Sequence, residues 1–361
     1  SPFNRDSRSR RNLNIAVVFL FKGDHFQGAS AHLKVISFKE EHYSNVEVSP
    51  APRIPVVSDD SPLYYEKSSE IYSENAFYPA EPFMLSENLK IRGVDAVILG
   101  ISPFQYNPVT KELIVYTEIE MEVVFEGGNG HFGEDRLRSR FWEPIIQDML
   151  INYSSLPEID FFPENAPESK NTNFEYVIIT PDNPQFITWA DSIRRFRNKQ
   201  GIKTGVFQLQ QIGGNNVGAI ETFINNAYNT WQIPPAACLL LADYGNSGDN
   251  TITSPLHDNY CVSDNMYADV DDDNLPDISF ARMTAQNAGH LETMIGKMIS
   301  YETNPPVNQN FYDHPITAGG WQTERWFILC TEVCHGFWTN ELGKEPVREY
   351  AIYSGTPGSQ W

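Results

Sequence analysis

The chain has 361 residues, 41% of them hydrophobic and 13% aromatic, and carries a formal net charge of −21. That length and apolar content suit a globular protein of two or three domains with ample core, and they exclude a disordered chain. The acidic balance excludes non-specific binding to nucleic acid, which requires a basic surface.

Taken in chain order, a basic cluster at residues 5–12 precedes the apolar run Ile15–Phe21. The pair loosely imitates a secretory signal, but the run ends at Lys22 and Asp24 with no small-residue cleavage site after it. It is too short to span a bilayer and suits a buried strand. The chain begins at Ser1 rather than Met, which reads as an internal start with any signal upstream.

Residues 31–38 and 44–50 read as short strands. From Glu112 to Phe125 apolar residues recur at Leu113, Val115, Ile119, Met121, Val123 and Phe125, while Glu112, Glu118, Glu120 and Glu122 take the other parity. This is the period of a half-buried strand. Residues 95–104 form a second apolar strand, and the Pro/Asn turn Tyr106–Lys111 makes the pair antiparallel. Residues 1–155 therefore read as a β-rich region, and the Pro-, Ser- and acid-rich residues 156–173 as an exposed linker.

From residue 174 to 361 the rhythm becomes α/β. Phe174–Thr180 and Ala236–Tyr244 are nearly continuous apolar runs, as in strands buried on both faces. Between them lie a helix opened by Asn183-Pro184 and closed by Gly201, a strand at 202–209, and a helix with Ile220, Phe223, Ile224 and Ala227 on one face. A strand at Asp277–Met283, a helix near Gln286–Tyr301, and a further strand–helix–strand run to residue 355 complete the pattern. The expected fold is a mainly parallel sheet with helices on both faces, preceded by an antiparallel β-rich region.

Residues 269–277 hold five carboxylates, which repel one another unless something neutralises them. Asp271, Asp273, the carbonyl of Leu275 and Asp277 present oxygens at alternate positions, as a calcium loop does. The glycine and glutamate of an EF-hand are absent. Asp243, at the end of an apolar strand where such sheets present ligands, is a further candidate. Spacing alone leaves a Ca²⁺ loop and a solvated acidic turn both open.

The cysteines are Cys238, Cys261, Cys330 and Cys334, with no CxxC pair. Cys334 and His335 are adjacent and diverge by about 100° on a helix, so they form no dyad. Phe327, Cys330, Val333, Cys334 and Phe337 fall at helical spacing, which reads as a core face, and a metal site with His335 lacks a fourth ligand. His257 reads as a surface histidine, His290 as a helix-surface residue, and His314 as a residue before a strand. Asn152-Tyr153-Ser154 fits the N-glycosylation tripeptide.

The motifs "YVIIT", "GIKTGVF", "CLLLADY" and "VDDDNLPDISFARM" resemble the N-terminal part of the gingipain-type cysteine endopeptidases, a caspase-like family of secreted bacterial proteases. Residues 77–119, with "QYNPVTK" as the most specific piece, resemble the family's propeptide. The likeness runs from about residue 31 to the end. It implies a caspase-like protease domain over 174–361, a prodomain over 1–155 in intramolecular contact with it, and protein or peptide substrates for the parent. It also implies structural Ca²⁺ held by Asp243, Asp271, Asp273, Leu275 and Asp277. It implies secretion or cell-surface location in a bacterium, with no transmembrane segment.

The family pairs a histidine with a nucleophilic cysteine, and both match positions beyond Trp361, so the chain in hand is expected to be inactive. Where some relatives place an acid to orient the histidine, Gly320 stands here, which points to a dyad. A basic propeptide residue blocks the specificity pocket in relatives; Val57 falls near that position, with Arg53 four residues earlier. Lys170 is the linker's basic residue closest to the protease domain. Two other roles stand beside the zymogen reading: a non-catalytic inhibitory or chaperone module, and a sortase-like processing peptidase of a secretion pathway.

Overall fold

The computed structural model describes residues 18–19, 30–50, 67–127, 133–161, 173–246, 250–257, 259, 261–273, 275–320 and 326–350. The candidate inhibitory positions Arg53 and Val57 and the linker residue Lys170 lie outside these.

The first region is antiparallel. Strands β1 (Ser30–Tyr43), β2 (Phe83–Leu85), β3 (Leu89–Ile91), β4 (Val94–Ala96), β5 (Ile98–Ile101), β6 (Phe104–Asn107) and β7 (Glu112–Glu126) follow in order. β7 lies between β1 and β6, β5 lies between Val18–Phe19 and β2, and β3–β4 is a tight hairpin. The strand expected at 95–104 is interrupted at Val97 and again at Ser102-Pro103, where proline supplies no N–H to a ladder; its three pieces join three different sheets. Residues 44–50, expected as a strand, are not one.

The alternation along β7 changes phase at Glu118, which sits at φ 50°. Lys39 pairs with Thr117 but Ser37 with Glu120, so β7 carries one extra residue there. Such a bulge reverses which parity faces inward. Before it Ile114 and Tyr116 are the buried residues. After it Glu118, Glu120 and Glu122 are exposed while Ile119, Met121 and Val123 are half-buried. Leu113 and Val115, which a single period assigns to the inner face, occupy the other one.

The second region is built on a four-stranded sheet. Strand β8 (Tyr176–Thr180) is followed by α1 (Pro184–Lys199), β9 (Thr204–Gln208), α2 (Val217–Thr230), β10 (Ala237–Leu241), β11 (Ser279–Met283) and α3 (Ala288–Thr303). The strand order is β9-β8-β10-β11, parallel throughout. Right-handed crossovers that step first one way from β8 and then the other put α1 and α2 on opposite faces. The caps follow the sequence: Asn183 accepts from the Gln185 N–H with Pro184 at the first turn, and Asn216 accepts from Ala219. Ile178, Ile179, Leu240 and Leu241 on the strands and Phe186, Ile193 and Ile220 on the helices are fully buried.

The last described unit is β12 (Ile316–Gly319), α4 (Trp326–Asn340) and β13 (Val347–Tyr350), with β12 and β13 parallel. Here the apolar stripe of the helix, read from sequence as a core face, is exposed: Phe327, Cys330, Val333, Cys334 and Phe337 all face outward. The helix meets β12 by its other side, where Ile328 and Thr331 lie against Gly319 and the Thr317 hydroxyl is 3.4 Å from Nδ1 of His335. Among the described residues no helix is long and apolar enough to cross a membrane.

The two regions interlock. Leu137 of the first region is buried in the core of the parallel sheet, and Ala236 of the second is buried in the first region's core with Ile91, Val94, Trp142 and Ile146.

Candidate metal centre

Ala237 of β10 is level with Tyr176 and Ser279, which defines the amino edge of the sheet. The acidic loop leads into β11 and therefore lies at this edge. The carboxylate oxygens of Asp269, Asp271 and Asp273 lie within 4.8 Å of one another. The loop is shaped by its own backbone: Asp269 accepts from the Asp273 N–H at 3.1 Å, and Asp273 accepts from Leu275 N–H at 2.8 Å. Asp272 takes φ 61°, a left-handed turn that Asp tolerates. Asp277 is buried, accepting from Tyr228 Oη–H at 2.9 Å and from the Val270 N–H at 2.9 Å.

The charges are not balanced within the loop. Partial burial, then the charges of Asp277, Asp273 and Asp269, push the Asp271 carboxyl up to about 6. Its side chain is exposed, so water screens part of that repulsion. Burial also raises Asp277, against the pull of its two hydrogen-bond donors and Arg92. A hard cation is the group such oxygens fit, since Ca²⁺ takes carboxylates and carbonyls together. Leu275 turns its side chain to the first region's core.

Asp243 is not with them. It follows the carboxyl end of β10, whereas Asp277 precedes the amino end of β11, so the sheet separates them by on the order of 20 Å. Asp243 accepts from Gln286 Nε2 at 2.7 Å and from Tyr244 N–H, and these bonds hold its carboxyl below the ordinary range. Asp269 completes the triplet in its place. The pattern D-x-D-x-D beginning at 269 was the signal that could have found it.

The thiols are scattered. Cys238 is buried on β10, where burial pushes its thiol up; it borders a cavity of about 330 Å³ between Phe141, Tyr176, Arg197 and Phe280. Cys261 and His257 are cross-strand partners on an exposed two-stranded turn. Cys330 and Cys334 lie on the open face of α4.

The amino edge is also where the first region grips the second. Asp273 accepts from the backbone N–H of Lys90 at 3.2 Å. The Arg92 guanidinium is fully buried and donates to the carbonyls of Pro235 at 2.7 Å, Asp277 at 3.1 Å and Pro234 at 3.2 Å. Arg136 donates to the carbonyls of Tyr228, Asn229 and Trp231, which close the carboxyl end of α2. Arg140 forms a bidentate pair with Glu175, and Trp142 Nε1–H donates to Ala236 O at 2.9 Å.

The family model for the C25 propeptide matches residues 27–153, and that for peptidase family C25 matches residues 169–342. The chain belongs to the gingipain-type C25 peptidase family. Its two regions are the family's propeptide and part of its protease. Gingipain R2 of Porphyromonas gingivalis is 26% identical over 290 residues, covering 75% of this chain and 36% of that protein. Lys-gingipain HG66 of the same species is 22% identical over 342 residues, covering 90% of this chain and 18% of its own length. The chain thus spans a third or less of most of the curated gingipains it matches. A solved complex of the pro- and mature domains of RgpB from that species is 26% identical, covers 39% of this chain and 70% of its own, and superposes with a TM-score of 0.32. The Arg-specific cysteine proteinase gingipain R is 17% identical over 52% of this chain and 43% of its own, with a TM-score of 0.42.

Proposed function

We propose that this chain is the zymogen section of a secreted or cell-surface bacterial thiol endopeptidase, with prodomain 1–155, linker 156–173 and protease part 174–361. The observation that carries this reading is the engagement of the two family segments through Arg92, Arg136, Arg140 and Trp142. The parent acts on peptide bonds of protein substrates through a cysteine thiolate, with a histidine moving the proton.

None of the four cysteines is that nucleophile in this reading. Cys238 is sealed in the core with its thiol raised, while Cys330 and Cys334 lie on an exposed helix face with no basic partner beside either sulfur among the described contacts. The interlock of Leu137 and Ala236 in each other's cores supports a second role for the prodomain, as a template on which the protease part folds.

Asp269, Asp271 and Asp273, whose carboxylate oxygens converge, would hold a Ca²⁺ ion. The Leu275 carbonyl and Asp277, on the same loop, would be its further oxygen ligands. Bound there, the ion supplies neutralising charge to the amino edge, away from the carboxyl edge where sheets of this class present substrate. Its role is therefore structural. Asp273 meanwhile holds Lys90 of the prodomain, and Asp277 buttresses Tyr228.

A thiol-reactive peptide probe tests the catalytic assignment. The chain should remain unlabelled, and a form carrying the downstream coding sequence should label at one new cysteine. Substrate-like labelling of Cys261, lost on His257→Ala, would overturn the assignment in favour of that cross-strand pair.

A further inference from the structure

The β3–β4 hairpin turns through Arg92-Gly93, with φ of 49° and 76°. Two successive left-handed residues make the hairpin turn that favours Asn-Gly, and arginine is a poor first residue for it. Gly93 is required, since a Cβ would meet Glu134 O and Leu137 Cβ at 2.6 Å. Arg92 is not required by the turn, so its presence must be explained by what its side chain reaches.

The side chain leaves the prodomain and is wholly buried against the protease part. Its guanidinium donates to three carbonyls contributed by two different segments, Pro234-Pro235 before β10 and Asp277 before β11. Two rings flank it, Tyr228 with its centroid at 5.2 Å and Trp142 at 5.9 Å. The three carbonyl acceptors and one ring belong to the protease part. Tyr228 is in turn fixed by its bond to Asp277. A planar fork of donors suits several convergent carbonyls and aromatic faces, and a lysine ammonium does not match that shape.

We infer that the protease part carries a guanidinium-binding cleft at the amino edge of its sheet, built from the Pro234, Pro235 and Asp277 carbonyls and the Tyr228 ring, and that Arg92 filling it is the anchor of prodomain attachment. The anchor lies at the edge opposite the one where sheets of this class bind ligands, so holding the prodomain on is separate from covering that edge. Because the cleft pairs a buried cation with carbonyl dipoles rather than with an exposed carboxylate, salt screens it little. None of this depends on the metal or on the thiol chemistry.

The test uses the full chain with a specific protease site inserted in the linker. After cutting, the wild-type halves should stay together through gel filtration and dilution, in 0.1 M and in 1 M NaCl alike. Arg92→Asn improves the turn and deletes the guanidinium, so it should weaken the nicked complex by at least about 30-fold, the loss typical of an interface hot spot. Arg92→Lys, which keeps charge but not the fork, should also weaken it. Ethylguanidinium should restore part of the affinity to Arg92→Ala, which leaves the cleft empty. Nicked Arg92→Asn halves that hold together as tightly as wild type overturn the inference. If Arg92→Asn does not fold, wild-type affinity in Arg92→Lys does so instead, and so does release of the wild-type halves by salt.

Discussion

The two edges of the parallel sheet are both polar, and they are built in opposite ways. At the carboxyl edge the polar groups satisfy one another within the protease part: Gln286 donates to Asp243, Asn250 donates to the Gln286 carbonyl, and Asn183 donates to Asn250. Arg282 closes that edge from below, pairing with Asp264 and donating to the carbonyls of Ala242, Asp243 and Ile252. At the amino edge the loop carboxylates are crowded and one is pushed up to about 6. Besides the loop's own amides and Tyr228, the edge takes donors from the prodomain, the Lys90 N–H on Asp273 and the Arg92 guanidinium on the Asp277 carbonyl. A self-contained edge is free to meet a ligand, whereas an edge short of positive charge is held by a partner or an ion.

Four measurements sharpen or break this contrast. Leu240 lies fully buried between the edges, and Leu240→Ala should cost about 3–4 kcal/mol in denaturant unfolding, setting the scale of the shared core. At the amino edge Asp277→Ala strands the Tyr228 hydroxyl and the Val270 N–H, and should cost about 2–3 kcal/mol by the same method. The carboxyl-edge counterpart, Gln286→Ala, removes an exposed bond to Asp243 and should cost less than about 1 kcal/mol. If Gln286→Ala proved as costly as Asp277→Ala, the contrast between the edges would fail.

The fourth concerns pH. The Asp271 carboxyl titrates near 6 in the fold against an ordinary 3.8, so the ion-free fold has its full stability from this group below about pH 3.8 and loses it as pH rises through 6. A cation favours the ionised form, and at pH 5 it must first displace a proton. Stabilisation by Ca²⁺ should therefore be larger at pH 7.5 than at pH 5, read as the shift in thermal midpoint. Equal shifts at both pH values would remove Asp271 from the site.

Much of the protease part is legible from periodicity. Continuous apolar runs gave buried parallel strands, and Asn183-Pro184 fixed a helix start to the residue. The prodomain is less legible, because the bulge at Glu118 reverses the face of β7 and no local pattern marks it. The helix stripe from Phe327 to Phe337 misled because periodicity identifies an apolar face without saying what covers it. Asp243 is a candidate from its place at the end of an apolar strand and from the family resemblance, but in a parallel sheet the end of one strand and the start of the next lie at opposite edges, so it does not meet the acidic loop. Arg92 was invisible for a related reason: its three carbonyl acceptors are more than a hundred residues away in sequence.

The proposal of a cation at the amino edge is tested most directly by the thermal midpoint of the full chain in chelator and in Ca²⁺, with Asp273→Asn alongside. At an ion concentration of about 100 times Kd the stabilisation is about 2.7 kcal/mol, which for domains of this size raises the midpoint by roughly 5–10 °C. The account predicts that rise for the wild type and little or none for Asp273→Asn. A wild-type midpoint that chelator leaves unmoved would contradict it.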